Sequence, residues 1–180
     1  MILSILIPSI PRHKELFDKL ITELLRQCDG LGKKIEIVTN ENNGTVGAKR
    51  QDLLKTAKGE YIVFIDADDE ISENYIASIM TALKSKPDCV GIKGIMTTNG
   101  HLKKEWAISK DYQQWSEVNG VYLRHTNHLA PVKRSIALQV GFPNKTHGED
   151  YDYSMGLRGL LHTEVKIEHG IYHYKYINHK

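Results

Sequence analysis

The 180 residues contain two cysteines, Cys28 and Cys89. That excludes a disulfide framework and any cysteine-rich metal site. Cys28 falls at the end of a helical pattern and Cys89 opens an apolar stretch, so both read as core or near-core thiols. Long apolar runs are also missing. The opening one, Met1–Ile7, is too short for a signal-peptide core or a membrane span and has no basic flank. A cytoplasmic chain without a transmembrane segment is therefore expected. Charge of one sign is scarce: the formal net charge is +2. This gives no electrostatic case for tight nucleic-acid binding, although Lys103, Lys104, Lys133 and Arg134 are candidates for a local basic patch or simply for a solvated face. No repeat or low-complexity tract is present. Glycine is absent from Pro8-Ser9-Ile10-Pro11, so no Gly-rich phosphate loop follows the first apolar run.

What remains is an ordinary soluble composition and enough length for one domain with a core, but too little for two comfortable ones. Apolar strand patterns alternate with helical ones. Met1–Ile7 and Ile35–Val38 read as strands, with the leucines at 16, 20, 24 and 25 forming a helical face between them. A helix is expected from about Thr45 to Ala57, a strand from Tyr61, a helix over Tyr75–Leu83 and a strand over Cys89–Ile95. This alternation argues for an α/β fold with a mostly parallel central sheet flanked by helices. Residues 97–124 are mixed in pattern and hold both tryptophans. Asn127–Val132 reads as a short strand, Ser135–Val140 as a short helix, and a further helix runs from Gly148-Glu149-Asp150 to about Leu161. Thr163–Lys166 and Ile171–Tyr176 read as two closing strands.

The third strand carries the chemistry. Tyr61-Ile62-Val63-Phe64-Ile65 ends abruptly in Asp66-Ala67-Asp68-Asp69. Alternation along a strand places Asp66 and Asp68 on one side of its C-terminal end, where ligand sites of open α/β sheets lie. Two converging carboxylates repel unless a cation sits between them, and Mg²⁺ or Mn²⁺ with oxygen ligands is the natural occupant. The competing reading is helix capping: Ser72 suits an N-cap, and Asp69 or Glu70 suits a helix N-terminus. Capping does not account for Asp66 and Asp68. Glu149-Asp150, at a loop-to-helix junction, is open to the same two readings.

Taken in order, Leu3-Ser4-Ile5-Leu6-Ile7-Pro8-Ser9, Gly47-Ala48-Lys49-Arg50-Gln51, Lys58-Gly59-Glu60-Tyr61-Ile62, Asp66-Ala67-Asp68-Asp69, Gly148-Glu149-Asp150 and Tyr172-His173-Tyr174 resemble the GT-A fold glycosyltransferases, most closely family 2. The resemblance implies a single GT-A, Rossmann-like domain over residues 1–180. Residues 1–96 would form the nucleotide-sugar half and residues 97–180 the acceptor half. It also implies a metal-dependent transferase moving a monosaccharide from a nucleoside-diphosphate sugar to an acceptor hydroxyl, with inversion. On that resemblance, Asp66-Ala67-Asp68 corresponds to the family's DxD motif. Asp66 would lie near the donor ribose or the metal, Asp68 would ligate Mn²⁺ or Mg²⁺, and Pro8-Ser9 would be the base-binding turn. Arg50 would face the nucleotide or, alternatively, be solvated on its helix. Asp150 would be the general base, with Glu149 orienting the acceptor or holding the loop. His173 would reach the metal or pack between Tyr172 and Tyr174. His128, with Trp106 and Trp115, would line the acceptor side, although core packing is the commoner fate of a lone tryptophan.

The sequence departs from the family where many relatives read uracil with an aspartate pair. Here that segment is Val38-Thr39-Asn40-Glu41, leaving Asn40 to meet a base edge. The chain is short for the family, with no lid or polymer channel evident. The acceptor is open: a glycan, a lipid-linked sugar, a protein or a modified nucleic-acid base. Two rivals differ in class. A sugar-phosphate nucleotidyltransferase would need the missing glycine loop, whereas a non-catalytic nucleotide-sugar-binding module or partner subunit would need no base at Asp150.

Overall fold

The computed structural model describes residues 1–177, so the last three residues of the expected 97–180 half lie outside the described residues. Three parallel strands form one wing of the sheet: β1 (Leu3–Pro8) lies between β2 (Ile35–Asn40) and β3 (Tyr61–Phe64). Alternate residues of β1 and β3 bury on opposite faces, as a two-sided sheet requires. Leu3, Ile5, Ile7, Tyr61 and Val63 pack with Leu20 and Leu24 of α1 (Lys14–Cys28) and Ile76 and Ile79 of α3 (Tyr75–Ala82). Leu6, Ile62 and Phe64 face the other way. They meet Leu53 and Leu54 of α2 (Val46–Thr56), Ala137 of α4 (Arg134–Val140), and Tyr153 and Leu157 of α5 (Glu149–Leu157).

Beyond β3 the sheet is mixed. Its order is β2-β1-β3-β9-β5-β6-β8-β7, with β10 beside β5 and β4. Here β4 is Glu70–Ile71, β5 Cys89–Thr98, β6 His101–Ile108, β7 Ser116–Val118, β8 Val121–Arg124, β9 Val132–Lys133 and β10 Glu164–Tyr176. The unassigned stretch 97–124 is therefore a hairpin and a second, smaller one extending the sheet.

Several expected elements differ for local reasons. The segment 127–131 is a turn, because Asn127 Oδ1 accepts from Leu129 N (3.0 Å) and Asn127 O from Ala130 N (3.2 Å); only Val132–Lys133 joins the sheet. Ser72 does not cap α3, whose N-cap is Asn74; Ser72 donates to the Asn74 side chain instead. Glu70 is not in a helix first turn, because Glu70–Ile71 pairs antiparallel with Tyr172–His173. The two expected closing strands are one, β10, with register shifts at Gly170 that bend it without breaking it. Its return along β5 brings Tyr172–Lys175 back to the acidic end of β3. Gly94 permits this approach: a Cβ there would collide with the Tyr172 carbonyl and the Trp106 ring.

Candidate active site

The acids after β3 have three different environments. Because β3 ends at Phe64, Asp66–Asp69 form a turn, closed by Asp69 N donating to Asp66 O at 3.1 Å, and strand alternation does not extend to Asp68. Asp66 lies between two basic side chains: Arg50 Nη2 is 2.8 Å from Oδ1, and His128 Nε2 is 3.4 Å from Oδ2. Burial alone would favour its neutral form, but Arg50 and His128 outweigh it and hold the carboxyl well below the usual carboxylate range. Asp69 is buried, accepting from the Tyr172 hydroxyl (2.8 Å) and from Lys175 N (2.7 Å). Burial, then the negative field of Asp66, pushes its pKa well up. The Tyr172 oxygen also accepts from Asp66 N at 3.2 Å, so one phenol braces the whole turn. Asp68 is the open member. Its side chain is 32% exposed, and the imidazole of His13 lies nearby, Nδ1 3.6 Å from Oδ2.

Helix α2 supplies the next layer. Thr45 caps it, its hydroxyl accepting from Ala48 N at 3.1 Å. At Gly47 a Cβ would strike the Pro143 carbonyl, so the glycine lets the 143–145 loop lie against the helix, with Gly47 N donating to Lys145 O at 3.0 Å. The loop leads into α5, and Glu149 at its start reaches Arg50. Arg50 is 3% exposed and bridges Asp66 and Glu149; neither a solvated Arg50 nor one with its terminal nitrogens free for phosphate is what the structure contains. Burial opposes its charge, but Asp66 and Glu149 together hold it firmly cationic. Lys49, next in sequence, donates to Ser9 O at 2.7 Å and ties α2 to the turn after β1.

Asp150 differs from Glu149. It lies in the first turn of α5, half-buried, and Oδ1 accepts the amide of Tyr151 at 2.8 Å. The fields of both acidic groups reach Tyr174 of β10. Burial first, then the fields of Asp66, Asp69, Asp68 and Asp150, raise the Tyr174 phenol above its ordinary value. The end of β3 and the start of α5 are joined directly by Arg50, which bonds both Asp66 and Glu149.

The remaining candidates divide. Pro8 ends β1, and Ser9 N donates to Asn40 O at 2.9 Å, which joins the first turn to the end of β2. Asn40 Oδ1 is used locally by Asn42 N at 2.9 Å. Beside it is a cavity of about 270 Å³ whose lining includes Thr39, Glu41 and Asp52 of α2. Ala67 is buried in the core beneath the turn. His128, expected on the acceptor side, touches Asp66 instead. Trp106, also expected there, is core: its ring meets Tyr172 edge-on at 5.9 Å. Trp115 is at the edge, against Tyr151 of α5 at 5.4 Å. His173 does not join the acids. It bonds Thr97 Oγ1 at 2.9 Å and lies 3.3 Å from Glu70 Oε2. Among the described residues, no group of three or more His, Cys, Asp or Glu side chains is arranged to hold a metal ion. Of the expected ligands, only Asp68 has oxygens available; Asp66 and His173 are already engaged. One carboxylate fits a hard cation that takes its remaining ligands from substrate phosphates and water. Three further residues serve the site: His13 lies outside every motif, whereas Lys49 and Tyr172 fall inside segments that resemble the family but take their roles from contacts with Ser9 and with Asp66 and Asp69 that those segments do not reveal.

The α/β sheet, with an acidic turn at a central strand end tied through Arg50 to the start of a later helix, is that of the GT-A fold. Residues 16–159 match Glycosyl transferase family 2, and the chain belongs to that family. The fold is similar to the crystal structure of S. aureus TarS 1-349 in complex with UDP-GlcNAc: TM-score 0.76, 16% identity, covering 100% of this chain and 60% of that one. It is also similar to TarS 1-349 in complex with UDP (TM-score 0.75, 17% identity, 97% of this chain and 60% of that one). A curated relative, the uncharacterized protein y4gI of Sinorhizobium fredii (strain NBRC 101917 / NGR234), is 20% identical over 162 residues, 86% of this chain and 17% of that protein. The chain thus spans under two thirds of the proteins it resembles. Among the described residues no helix is long and apolar enough to cross a membrane.

Proposed function

We propose that this domain transfers a monosaccharide from a nucleoside-diphosphate sugar to an acceptor hydroxyl, with inversion at the anomeric carbon. The observation that carries the reading is the Arg50 bridge, which bonds Asp66 Oδ1 and Glu149 and so ties the acidic turn after β3 to the start of α5: Asp68 on the turn would serve the donor, Asp150 on the helix the acceptor. Asp68 would hold Mn²⁺ or Mg²⁺, which when bound neutralises the departing diphosphate. Asp66, fixed by Arg50 and His128, positions the donor beside it. Pro8, Ser9 and Asn40 form the floor for the base. Asp150 accepts the proton of the acceptor hydroxyl as its oxygen attacks the face opposite the leaving diphosphate. Glu149 holds the loop through Arg50. Residues 1–96 supply most of the donor side, and residues 97–180 the acceptor side and the strand that returns to brace the acids.

UDP and UDP-GlcNAc, bound in the similar TarS crystals, are the first donors to try. Asn40-Glu41, in place of an aspartate pair, makes a panel of bases necessary. Thermal unfolding with nucleoside diphosphates, with and without Mn²⁺, tests the reading, since a ligand bound only to the folded state raises its stability. A metal-dependent rise with one base is expected. No rise with any nucleotide overturns the reading, and the anomer of the product, read by NMR, decides inversion.

A further inference from the structure

Among the described residues, Arg124 forms no ion pair with a carboxylate. Arg124 ends β8 with its guanidinium 4.9 Å from the Trp115 ring centroid and 5.0 Å from that of Tyr122. Its Nη1 donates to Ser116 O (3.1 Å) and Leu123 O (3.0 Å), which fixes the head group while leaving its charge uncompensated. The carboxylate whose field reaches it, Glu117, is in an ion pair with Lys104, Nζ to Oε1 2.5 Å. Trp115 meets Tyr151, the residue after Asp150, and its buried indole Nε1 has no acceptor. Buried donors are nearly always paired, so an unpaired N–H on the very ring that the guanidinium covers requires an explanation. Both groups donate, and among the described residues neither has a carboxylate partner. The ligand they fit is an oxyanion.

We propose that Arg124 and Trp115 form an acceptor subsite for an anionic group, a phosphate ester or a carboxylate on the molecule whose hydroxyl reaches Asp150. This rests on the transferase reading for its role, though not for its binding chemistry. A guanidinium held by two carbonyls and stacked on aromatic rings is pre-organised for oxyanions, and its bonds to them are charge-assisted. The subsite would select charged acceptors over neutral ones of the same shape.

The test is a titration of the ¹⁵N-labelled chain with sn-glycerol 3-phosphate, glycerate and glycerol, following the Trp115 indole resonance, assigned by Trp115→Phe. Saturable movement with one or both anions and none with glycerol is expected, and the two anions distinguish phosphate from carboxylate. Arg124→Gln should weaken that binding at least tenfold and Arg124→Lys should restore part of it. Equal response to glycerol, or anion binding unchanged in Arg124→Gln, overturns the subsite. Because Arg124 also staples β7 to β8, the contrast between anion and glycerol in the unsubstituted chain stands as a measure independent of the variant's fold. The Mn²⁺-dependent nucleotide shift is run alongside. Its loss in the unsubstituted chain would sink the transferase reading alone, and absent anion binding with that shift intact would sink the subsite alone.

Discussion

Asp88 and Asp68 lie at opposite ends of the sheet and have opposite surroundings. Asp88 precedes β5 and its oxygens are fully engaged: Lys133 Nζ, His162 N and Thr163 N each donate at 2.9 Å. It fastens β9 and the start of β10 to β5, and its own amide donates to Thr163 O at 3.0 Å. Asp68 follows β3 and, among the described residues, has only the His13 side chain in ion-pair range. A carboxylate whose bonds are all made by its own chain stabilises a fold; one with lone pairs still facing solvent stabilises only something that arrives. The same residue type serves structure before β5 and, at the end of β3 where sites of open α/β sheets lie, leaves Asp68 open for the ligand proposed above.

The comparison is broken most severely by Asp150→Asn, which should remove the acceptor-side base while leaving the fold intact. Turnover is expected to fall about 10²–10⁴-fold, the usual contribution of a positioned general base, with the melting temperature and nucleotide binding unchanged. Steady-state assays with the donor found in the thermal panel check it; turnover within threefold of the parent refutes the assignment. Asp88→Ala should do the reverse. It removes the acceptor of Lys133 and of two backbone amides, and a cost of about 1–3 kcal/mol in chemical denaturation is expected. Whatever fraction remains folded should bind nucleotide as before. A mild loss would mean that the clasp is not what joins β9, β5 and β10.

Asp68→Asn sharpens the contrast at smaller scale. The unliganded melting temperature should barely move, because few bonds are lost. The Mn²⁺-dependent part of nucleotide stabilisation should vanish; with nucleotide at a hundredfold excess over its Kd that part is up to about 2.7 kcal/mol. Retention of the metal-dependent shift would place the cation elsewhere.

How much of this could be read from the chain follows the range of the interactions. β3 and its acids are legible because a short apolar run ending in carboxylates is a local pattern, and Gly148-Glu149-Asp150 before a helix is another. The wing β2-β1-β3 follows from the same alternation. Arg50 is different: its partners Asp66 and Glu149 are 16 and 99 positions away, so its helix reveals a basic residue and nothing of its burial. Glu70–Ile71 has the composition of a helix entrance and becomes a strand only because β10 returns to pair with it. Trp106 and Trp115 are indistinguishable as letters; Gly94, by admitting the Trp106 ring, makes one of them core. His173 had two readings of equal standing, and Thr97 on the neighbouring strand decides its bond.

The smallest effect concerns acid stability. Burial would raise the Asp88 pKa, but the bond from Lys133 and those from the Thr163 and His162 amides outweigh it and hold the carboxyl below its ordinary 3.8. A depressed folded value means that the unfolded chain takes up the proton first as the pH falls. The stabilisation is complete above the unfolded value and is lost on acidification through the lower folded one. Asp88→Asn cannot titrate. The stability difference between parent and Asp88→Asn should therefore be constant from neutral pH to about pH 5 and then shrink, by on the order of 1–2 kcal/mol, as the pH falls below about 4. Urea denaturation at stepped pH measures it. The exposed acids Glu23 and Asp111, held down by Arg26 and by Lys110 with Lys166, contribute the same slope to both proteins and cancel in the difference. A difference that widens toward low pH would reverse the sign of the clasp and undo the contrast between the two ends of the sheet.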